Sequence, residues 1–273
     1  MSRGGNQIRG QKLGVLIEQL ENLDDWGDIR KVEEIASYGP KVVPYLEDIL
    51  LTALEKSSKI SLTNPPKDSD RFIVIHALYL LAHLQPEDSL DLVLQFLSQK
   101  QEILNCWLPD LLTEDIWEVV YFLGQNTIEK LEGFVLNQDN NMFSRLAVCT
   151  ALIQMSANHE SKKRAVARIV KKVLELEKED PDFIGLLVSE LLDIKDMTLQ
   201  ASILEALKRH DVWPGIISAE EVQLLYNKKE IRARAPLGIH KRYEYFRQCA
   251  HSVQTSPFNP QKRKKRRKVE KHI

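Results

Sequence analysis

The chain has 273 residues, of which 43% are apolar and 28% charged, and its formal net charge is −1. This composition is typical of a folded, soluble chain with a substantial core, which excludes general disorder. No run of about 18 apolar residues occurs, which excludes a membrane-spanning helix, and the start of the chain lacks the apolar stretch of a secretory signal. We therefore expect a cytoplasmic protein whose three cysteines, Cys106, Cys149 and Cys249, are free thiols.

The small net charge conceals an uneven distribution along the chain. Residues 228–273 contain 15 Lys or Arg and 3 Asp or Glu, a charge of +12, which leaves 23 against 36, or −13, for residues 1–227. An acidic body repels nucleic acid and anionic lipid over a Debye length of about 8 Å, whereas a basic end attracts them. Any contact with a polyanion is therefore expected at the C-terminal end.

The first predicted helix pair lies within residues 28–56. The stretch DIRKVEEIASY (28–38) predicts a helix, and Gly39 is placed to end it in a left-handed conformation. Pro40 and Pro44 are tolerable only near a helix start, so the second helix is expected to begin there. The Ser-, Pro- and Lys-rich residues 56–70 then predict an exposed loop.

The second predicted pair occupies residues 71–97. RFIVIHALYLLAHL (71–84) has apolar residues at helical spacing and little polar face, which predicts a helix covered on several sides. Polar residues 85–88 interrupt the pattern, with Asp88 or Ser89 as the N-cap of the next helix. The second apolar run ends at Leu97, so two antiparallel helices joined by about four residues are expected.

Three further helix pairs are predicted in the rest of the body. Their sequences are EDIWEVVYFLGQNTIEKLEGFVL (114–136), MFSRLAVCTALIQM (142–155) with KRAVARIVKKVLELEKE (163–179), and DFIGLLVSELLDI (182–194) with TLQASILEALKRHDV (198–212). Strand signals such as an Asn-Gly turn or sustained alternation are missing. Helix pairs that recur roughly every 35 to 45 residues indicate an all-α fold, an α-solenoid of about five pairs.

The same patterns divide the chain into three parts. Residues 1–10 are expected to be a flexible N-terminus, and residues 11–250 form the solenoid. Residues 251–273 contain few core-forming residues and a dense run of like charge, so we expect a disordered basic tail.

Helix pairs of the form RFIVIHALYLLAHLQPEDSLDLVLQFL resemble HEAT-like repeats. Four segments extend the resemblance to a named family: IHALYLLAHL (75–84), LPDLLTEDIW (108–117), SRLAVCTALIQM (144–155) and IISAEEVQ (216–223). Together they resemble an uncharacterised bacterial family, domain-of-unknown-function family 1186, over most of residues 10–227. The resemblance implies a HEAT-like helical fold, and it brings no established reaction or substrate.

Members of that family often end in a Cys-rich SEC-C motif that holds zinc. The equivalent region here has Cys249 and His251 followed by lysines and arginines, so the four ligands of a structural zinc site are missing. His76 and His83 are seven residues apart, about 10 Å along a helix, which is too far for one shared metal ion. We expect structural roles for both histidines, and no metal or cofactor.

One cluster of residues suggests a recognition surface on the concave side. Trp107, Asp110 and Trp117, with Arg145 one repeat later, combine aromatic faces with an acid and a cation. HEAT-like DNA glycosylases use such residues, because aromatic rings stack on an extruded base and a carboxylate stabilises a cationic sugar. A glycosylase acting on modified bases is therefore the alternative to a binding surface for a protein or peptide.

The basic tail predicts contact with nucleic acid or another polyanion. Eight positive charges lie between Lys262 and Lys271, and each phosphate that they neutralise releases a counterion. The residues expected to bind are Lys262, Arg263, Lys264, Lys265, Arg266, Arg267 and Lys268, with Arg242 and Arg247 preceding them among aromatic residues. Contact with the protein's own acidic body and a nuclear import signal, KKRRKV (264–269), are the alternatives, the latter implying a nuclear location in a eukaryotic cell. The sequence thus favours a non-catalytic binding scaffold with a protein or peptide partner.

Overall fold

The computed structural model describes residues 13–20, 29–194, 196–227 and 233–244. In chain order its α-helices are α1 (residues 13–20), α2 (Ile29–Ala36), α3 (Val43–Ser57), α4 (Asp68–Leu84), α5 (Ser89–Leu97), α6 (Gln101–Trp107), α7 (Leu111–Glu114), α8 (Ile116–Gly124), α9 (Ile128–Leu136), α10 (Met142–Asn158), α11 (Lys163–Leu174), α12 (Pro181–Leu192), α13 (Gln200–Arg209), α14 (Ala219–Tyr226) and α15 (residues 239–244). Short 3₁₀ helices span Gly39–Lys41, Glu160–Lys162 and Met197–Leu199. These residues contain no β-strand, so the all-α prediction is confirmed.

The five predicted helix pairs correspond to α2 and α3, α4 and α5, α8 and α9, α10 and α11, and α12 and α13. Helices α1, α6, α7, α14 and α15 are additional. The predicted loop at 56–70 is shorter than expected, covering residues 58–67, because α3 continues to Ser57 and α4 begins at Asp68. The predicted flexible residues 1–10 and disordered residues 251–273 lie outside the described part of the chain.

Helix ends follow local chemistry. Gly39 has a φ of +58°, which confirms the left-handed conformation expected after α2. Asn141 caps α10 by accepting the backbone N–H groups of Phe143 and Ser144. Ser218 and Glu221 form a reciprocal capping box at the start of α14. Short-range signals of this kind locate helix starts without reference to the rest of the molecule.

The first helices of successive pairs are neighbours in space. Helix α4 packs against α2, α3 and α8, while α10 packs against α8, α9, α11 and α12. Because each of α4, α8 and α10 is covered from several directions, each is buried on nearly all sides. Helices α2, α4, α8, α10 and α12 therefore form a connected row.

Two cysteines of the body are buried as free thiols. Cys106 lies in α6 and Cys149 in α10. Burial raises the pKa of the Cys149 thiol to about 12, so this side chain is an inert part of the core. Cys249 lies outside the described residues. Among the helices that the structure describes, none is long and apolar enough to cross a membrane.

Candidate functional site

The final described segment, residues 233–244, returns across the row of first helices. Residues 233–238 are neither helical nor part of a strand, and residues 239–244 form α15. We call residues 233–244 the return segment, and the side of the row that it contacts the inner face. Each helix of the row contributes at least one residue bonded to the return segment: Glu33 in α2, His76 in α4, Glu118 in α8, Gln154 and Asn158 in α10, and Glu190 in α12.

Arg234 holds the start of the return segment. Its backbone N–H donates to Gln154 Oε1 at 2.7 Å, and its carbonyl accepts from Asn158 Nδ2 at 3.1 Å. Its guanidinium pairs with the Glu190 carboxylate and lies 5.4 Å from the centre of the Trp117 ring. Arg234 is therefore bound through its backbone, its charge and the flat face of its side chain.

Arg242 occupies a buried position at the other end. Its guanidinium pairs with Asp115 and with Glu118, and its side chain is only 4% exposed. Tyr79 borders the same position, with its ring centre 5.7 Å from the guanidinium carbon and its hydroxyl donating to Asp115 Oδ2 at 3.4 Å. Glu118 Oε2 also accepts the backbone N–H of Leu237 at 3.0 Å, so the same carboxylate binds the non-helical part of the return segment.

Burial and charge act against each other at this position. Burial by itself lowers the pKa of Arg242, but Tyr79, Glu118 and Asp115 outweigh it and raise that pKa above its ordinary value. Burial raises the pKa of the Glu118 carboxyl, and the hydrogen bond and charge of Arg242 oppose the rise without cancelling it. The guanidinium therefore stays charged, and the carboxylates depend on it for compensation.

Tyr243 anchors the end of the return segment in the interior. Its hydroxyl and His76 Nδ1 are 2.5 Å apart, and the two rings stack with centres 5.5 Å apart. His83 and His240 meet edge to face at 6.4 Å, and His240 Nδ1 lies 2.8 Å from Glu33 Oε1. Both histidines thus contact the return segment, His76 from a buried position and His83 from an exposed one.

A small cavity lies among residues of α4, α8 and the return segment. Its volume is about 60 Å³, and His83, Phe122, Leu237, Ile239 and Arg242 are among its lining residues. Sites for small organic ligands usually enclose about 300–1,000 Å³. The cavity is therefore too small for such a substrate, and the return segment itself is the main occupant of this part of the inner face.

The structure corrects the recognition surface predicted from Trp107, Asp110, Trp117 and Arg145. Trp107 is buried, and its Nε1 donates to Ser57 Oγ at 3.0 Å. Arg145 is 2% exposed and bonded to Glu179, whereas Asp110 is exposed on the surface. Trp117 is buried, donates to the Glu114 carbonyl at 3.1 Å, and contacts the inner-face site through Arg234. Trp107 and Arg145 are core residues because their large side chains fill spaces between helices.

The same placement leaves the glycosylase alternative without support in the described residues. Stacking on an extruded base requires accessible aromatic faces, and Trp107 and Trp117 are 1% and 5% exposed. The guanidinium of Arg145 is held by Glu179 and cannot reach a nucleic-acid backbone.

The predicted polyanion-binding residues fall into two groups. Arg242 requires correction, because it is buried and its charge is balanced by two carboxylates, so a polyanion cannot reach it. The others lie outside the described residues: Arg247, Lys262, Arg263, Lys264, Lys265, Arg266, Arg267 and Lys268.

Three residues of the candidate site were not predicted from the sequence, although the apolar sequence around each of them makes it conspicuous. Glu118, Gln154 and Glu190 are isolated polar residues within apolar helices, in the stretches IWEVVYFLG, ALIQM and LLVSELL. A polar group in such a position needs a partner, since its burial without one is costly. This sequence context identifies the three residues. Their partners lie in the return segment and cannot be predicted from the neighbouring sequence.

Comparison with known proteins places the chain in a family. A family model described as "Protein of unknown function (DUF1186)" matches residues 12–253, a range that includes the return segment. An "Uncharacterized protein" of Chlamydia trachomatis serovar D is 23% identical over 194 residues, covering 70% of this chain and 74% of the relative. No solved structure matches the chain. Because the family model spans most of the 273 residues, the protein belongs to the family described as Protein of unknown function (DUF1186).

Proposed function

We propose that the protein is a non-catalytic binding scaffold, a HEAT-like solenoid of about five helix pairs whose concave side is the inner face. The face binds an extended polypeptide segment by contributing one or two polar side chains from each successive helix. The observation that carries this proposal is the manner in which residues 233–238 are held. Gln154, Asn158 and Glu118 bond to their backbone, and Glu190 binds the Arg234 side chain.

Contacts of this kind suit a polypeptide ligand better than a small molecule. Side chains that bond to backbone N–H and C=O groups recognise an extended chain as such, as a strand partner does at a sheet edge. Charge pairs at intervals along the face then select among sequences. Residues 1–227 contain 23 basic and 36 acidic residues, a net charge of −13. This acidic charge favours a basic ligand.

A binding experiment in trans tests the scaffold. A chain ending at Asn227 lacks the return segment, and a labelled peptide of residues 233–244 (ARAPLGIHKRYE) is added to it. We expect saturable binding by fluorescence anisotropy, in roughly the micromolar range because the peptide buries less than a standard protein interface. A scrambled peptide is the control. Absence of binding by a shortened chain whose circular dichroism remains helical would contradict the proposal.

The basic tail supplies a second contact in this proposal. Eight positive charges between Lys262 and Lys271 would attract nucleic acid or another polyanion, while the acidic body would remain outside that contact. Deleting residues 255–273 is expected to abolish retention on RNA or DNA at low salt. A matched variant with the same tail residues in shuffled order should bind like the native chain, because the attraction depends on charge density. Equal retention of the native and deleted chains at two salt concentrations would refute the role of the tail.

A further inference from the structure

We infer that the inner face is specific for arginine at two positions, and that the return segment occupies it as an intramolecular competitor of an external ligand. That ligand is an extended segment of a partner protein with two arginines eight residues apart, the second followed by tyrosine. This inference rests on the proposed scaffold function, and it adds the chemistry and register of the partner.

The first position is the site of Arg234. Glu190 supplies a carboxylate to the guanidinium, and the Trp117 ring supplies a flat face at 5.4 Å. Glu190 is itself oriented by Thr150, whose hydroxyl donates to Oε2 at 3.2 Å. A planar guanidinium can use the carboxylate and the ring together, whereas a lysine ammonium is a compact point charge without a planar surface.

The second position is the site of Arg242 and is the more selective one. Asp115 and Glu118 bind different nitrogens of the same guanidinium, and Tyr79 lies at 5.7 Å. A lysine has one nitrogen and cannot span both carboxylates with the same geometry. Tyr243 follows directly and enters the interior beside His76, which extends the recognised sequence by one residue.

The backbone between the two positions is held in register. Gln154 accepts the N–H of Arg234, and Glu118 accepts the N–H of Leu237. Because Glu118 binds both Leu237 and Arg242, inserting one residue between them would separate the second arginine from its carboxylates. The separation of eight residues between the arginines is thus a requirement of the face.

The return segment has the character of an exchangeable occupant. Ala233, Ala235 and Gly238 are exposed. The buried residues within 233–244 are Ile239, Arg242 and Tyr243. The contacts of the segment come mainly from the two arginines, Tyr243 and the backbone, so an external segment that presents the same groups can make the same contacts and replace the return segment. Its covalent attachment gives it a high effective concentration, so an external ligand competes at a disadvantage until the internal one is weakened.

The test uses the full-length chain with Arg234→Lys and Arg242→Lys together, which keeps both positive charges and weakens the internal segment. Three labelled peptides are compared by anisotropy: residues 233–244, the same 12-residue peptide with both arginines replaced by lysine, and a 13-residue peptide with one alanine inserted after Gly238. We expect the native peptide to bind the variant at least about tenfold more tightly than the wild-type chain. The lysine and inserted peptides should each bind at least about tenfold more weakly than the native peptide.

The outcomes distinguish a failure of the arginine specificity from a failure of the scaffold function. Equal affinities for the three peptides would overturn arginine specificity and register while leaving the scaffold function in place. No binding of any peptide to the folded lysine variant would overturn both. If light scattering shows a wild-type dimer that the lysine variant loses, the occupant is a second copy and the assignment to a partner protein is wrong. If the lysine variant does not fold, restoration of its cooperative thermal transition by the native peptide alone supports the inference, and restoration by all three overturns it.

Discussion

Replacing Arg242 with methionine is expected to lower the free energy of unfolding by about 3–5 kcal/mol, as removal of one partner from a buried ion pair typically does. The substitution leaves Asp115 and Glu118 buried, close together and without the guanidinium that balances them. Their side chains are 13% and 8% exposed, so water can compensate for little of the loss. Urea denaturation followed by circular dichroism measures the change.

Lys241→Met is the matched control, because Lys241 precedes Arg242 in α15 and is exposed. It should change stability by no more than about 0.5 kcal/mol. Adding Glu118→Gln to Arg242→Met should recover part of the loss, since one of the two uncompensated charges is then removed. A loss below about 1 kcal/mol for Arg242→Met would show that Arg242 is not held in the buried pair.

Replacing Glu179 with leucine is expected to cost a similar amount, about 3–5 kcal/mol, through a different pair in the core. Arg145 Nη1 and Nη2 bond to the two Glu179 oxygens at 2.9 and 2.6 Å, and the pair is 2% and 5% exposed. Burial alone raises the pKa of Glu179, but the hydrogen bonds and charge of Arg145 outweigh it and hold the pKa below its usual value. Without Glu179, a charged guanidinium remains buried against the Phe183 ring at 4.3 Å.

The double variant Arg145→Met with Glu179→Leu should be closer to wild type than Glu179→Leu alone. Both charges are then absent. The remaining losses are the hydrogen bond from Arg145 Nε to the Val135 carbonyl at 2.9 Å and those that Glu179 accepts from the Asp180 N–H at 3.1 Å and Gln138 Nε2 at 3.2 Å. Chemical denaturation of the two single variants and the double variant gives the coupling free energy. Additive losses, with the double variant the least stable, would contradict a coupled buried pair.

The two buried pairs have different consequences for function. Arg145 and Glu179 both belong to the helical body, so their loss weakens the body itself. Arg242 belongs to the return segment, so its loss weakens the body and also releases the occupant of the inner face. Variants of the inner face should therefore be compared at equal fractions of folded protein, which is why the lysine substitutions are preferable in binding experiments.

Much of the helical architecture was predictable because it depends on neighbouring residues. The stretch 71–97 predicted two helices with a break at 85–88, and the structure has α4 ending at Leu84 and α5 beginning at Ser89. Gly39 was predicted in the left-handed region, where its φ is +58°. Apolar spacing and turn residues specify such features within a few residues of each other.

The candidate site was much less predictable. Trp107 and Arg145 were expected on a recognition surface, because aromatic and cationic residues are frequent there, and both are core residues. Arg242 was expected to contact a polyanion, because it lies in a basic stretch, and it pairs with Asp115, 127 positions earlier in the chain. Composition describes the average charge of a region but does not specify where one side chain is directed.

The sequence by itself determined that the chain is helical, where most helices begin and end, and which faces must be covered. These properties arise from periodicity, caps and turns that act over one or two helical turns. Only the tertiary structure decided which polar residues meet, since Glu118, Gln154 and Glu190 gain their partners from a segment that returns across the five helices of the row. The packing of distant helices determines which residues become partners. A buried charge without a partner is costly, so the pairing that matches the charges is strongly favoured.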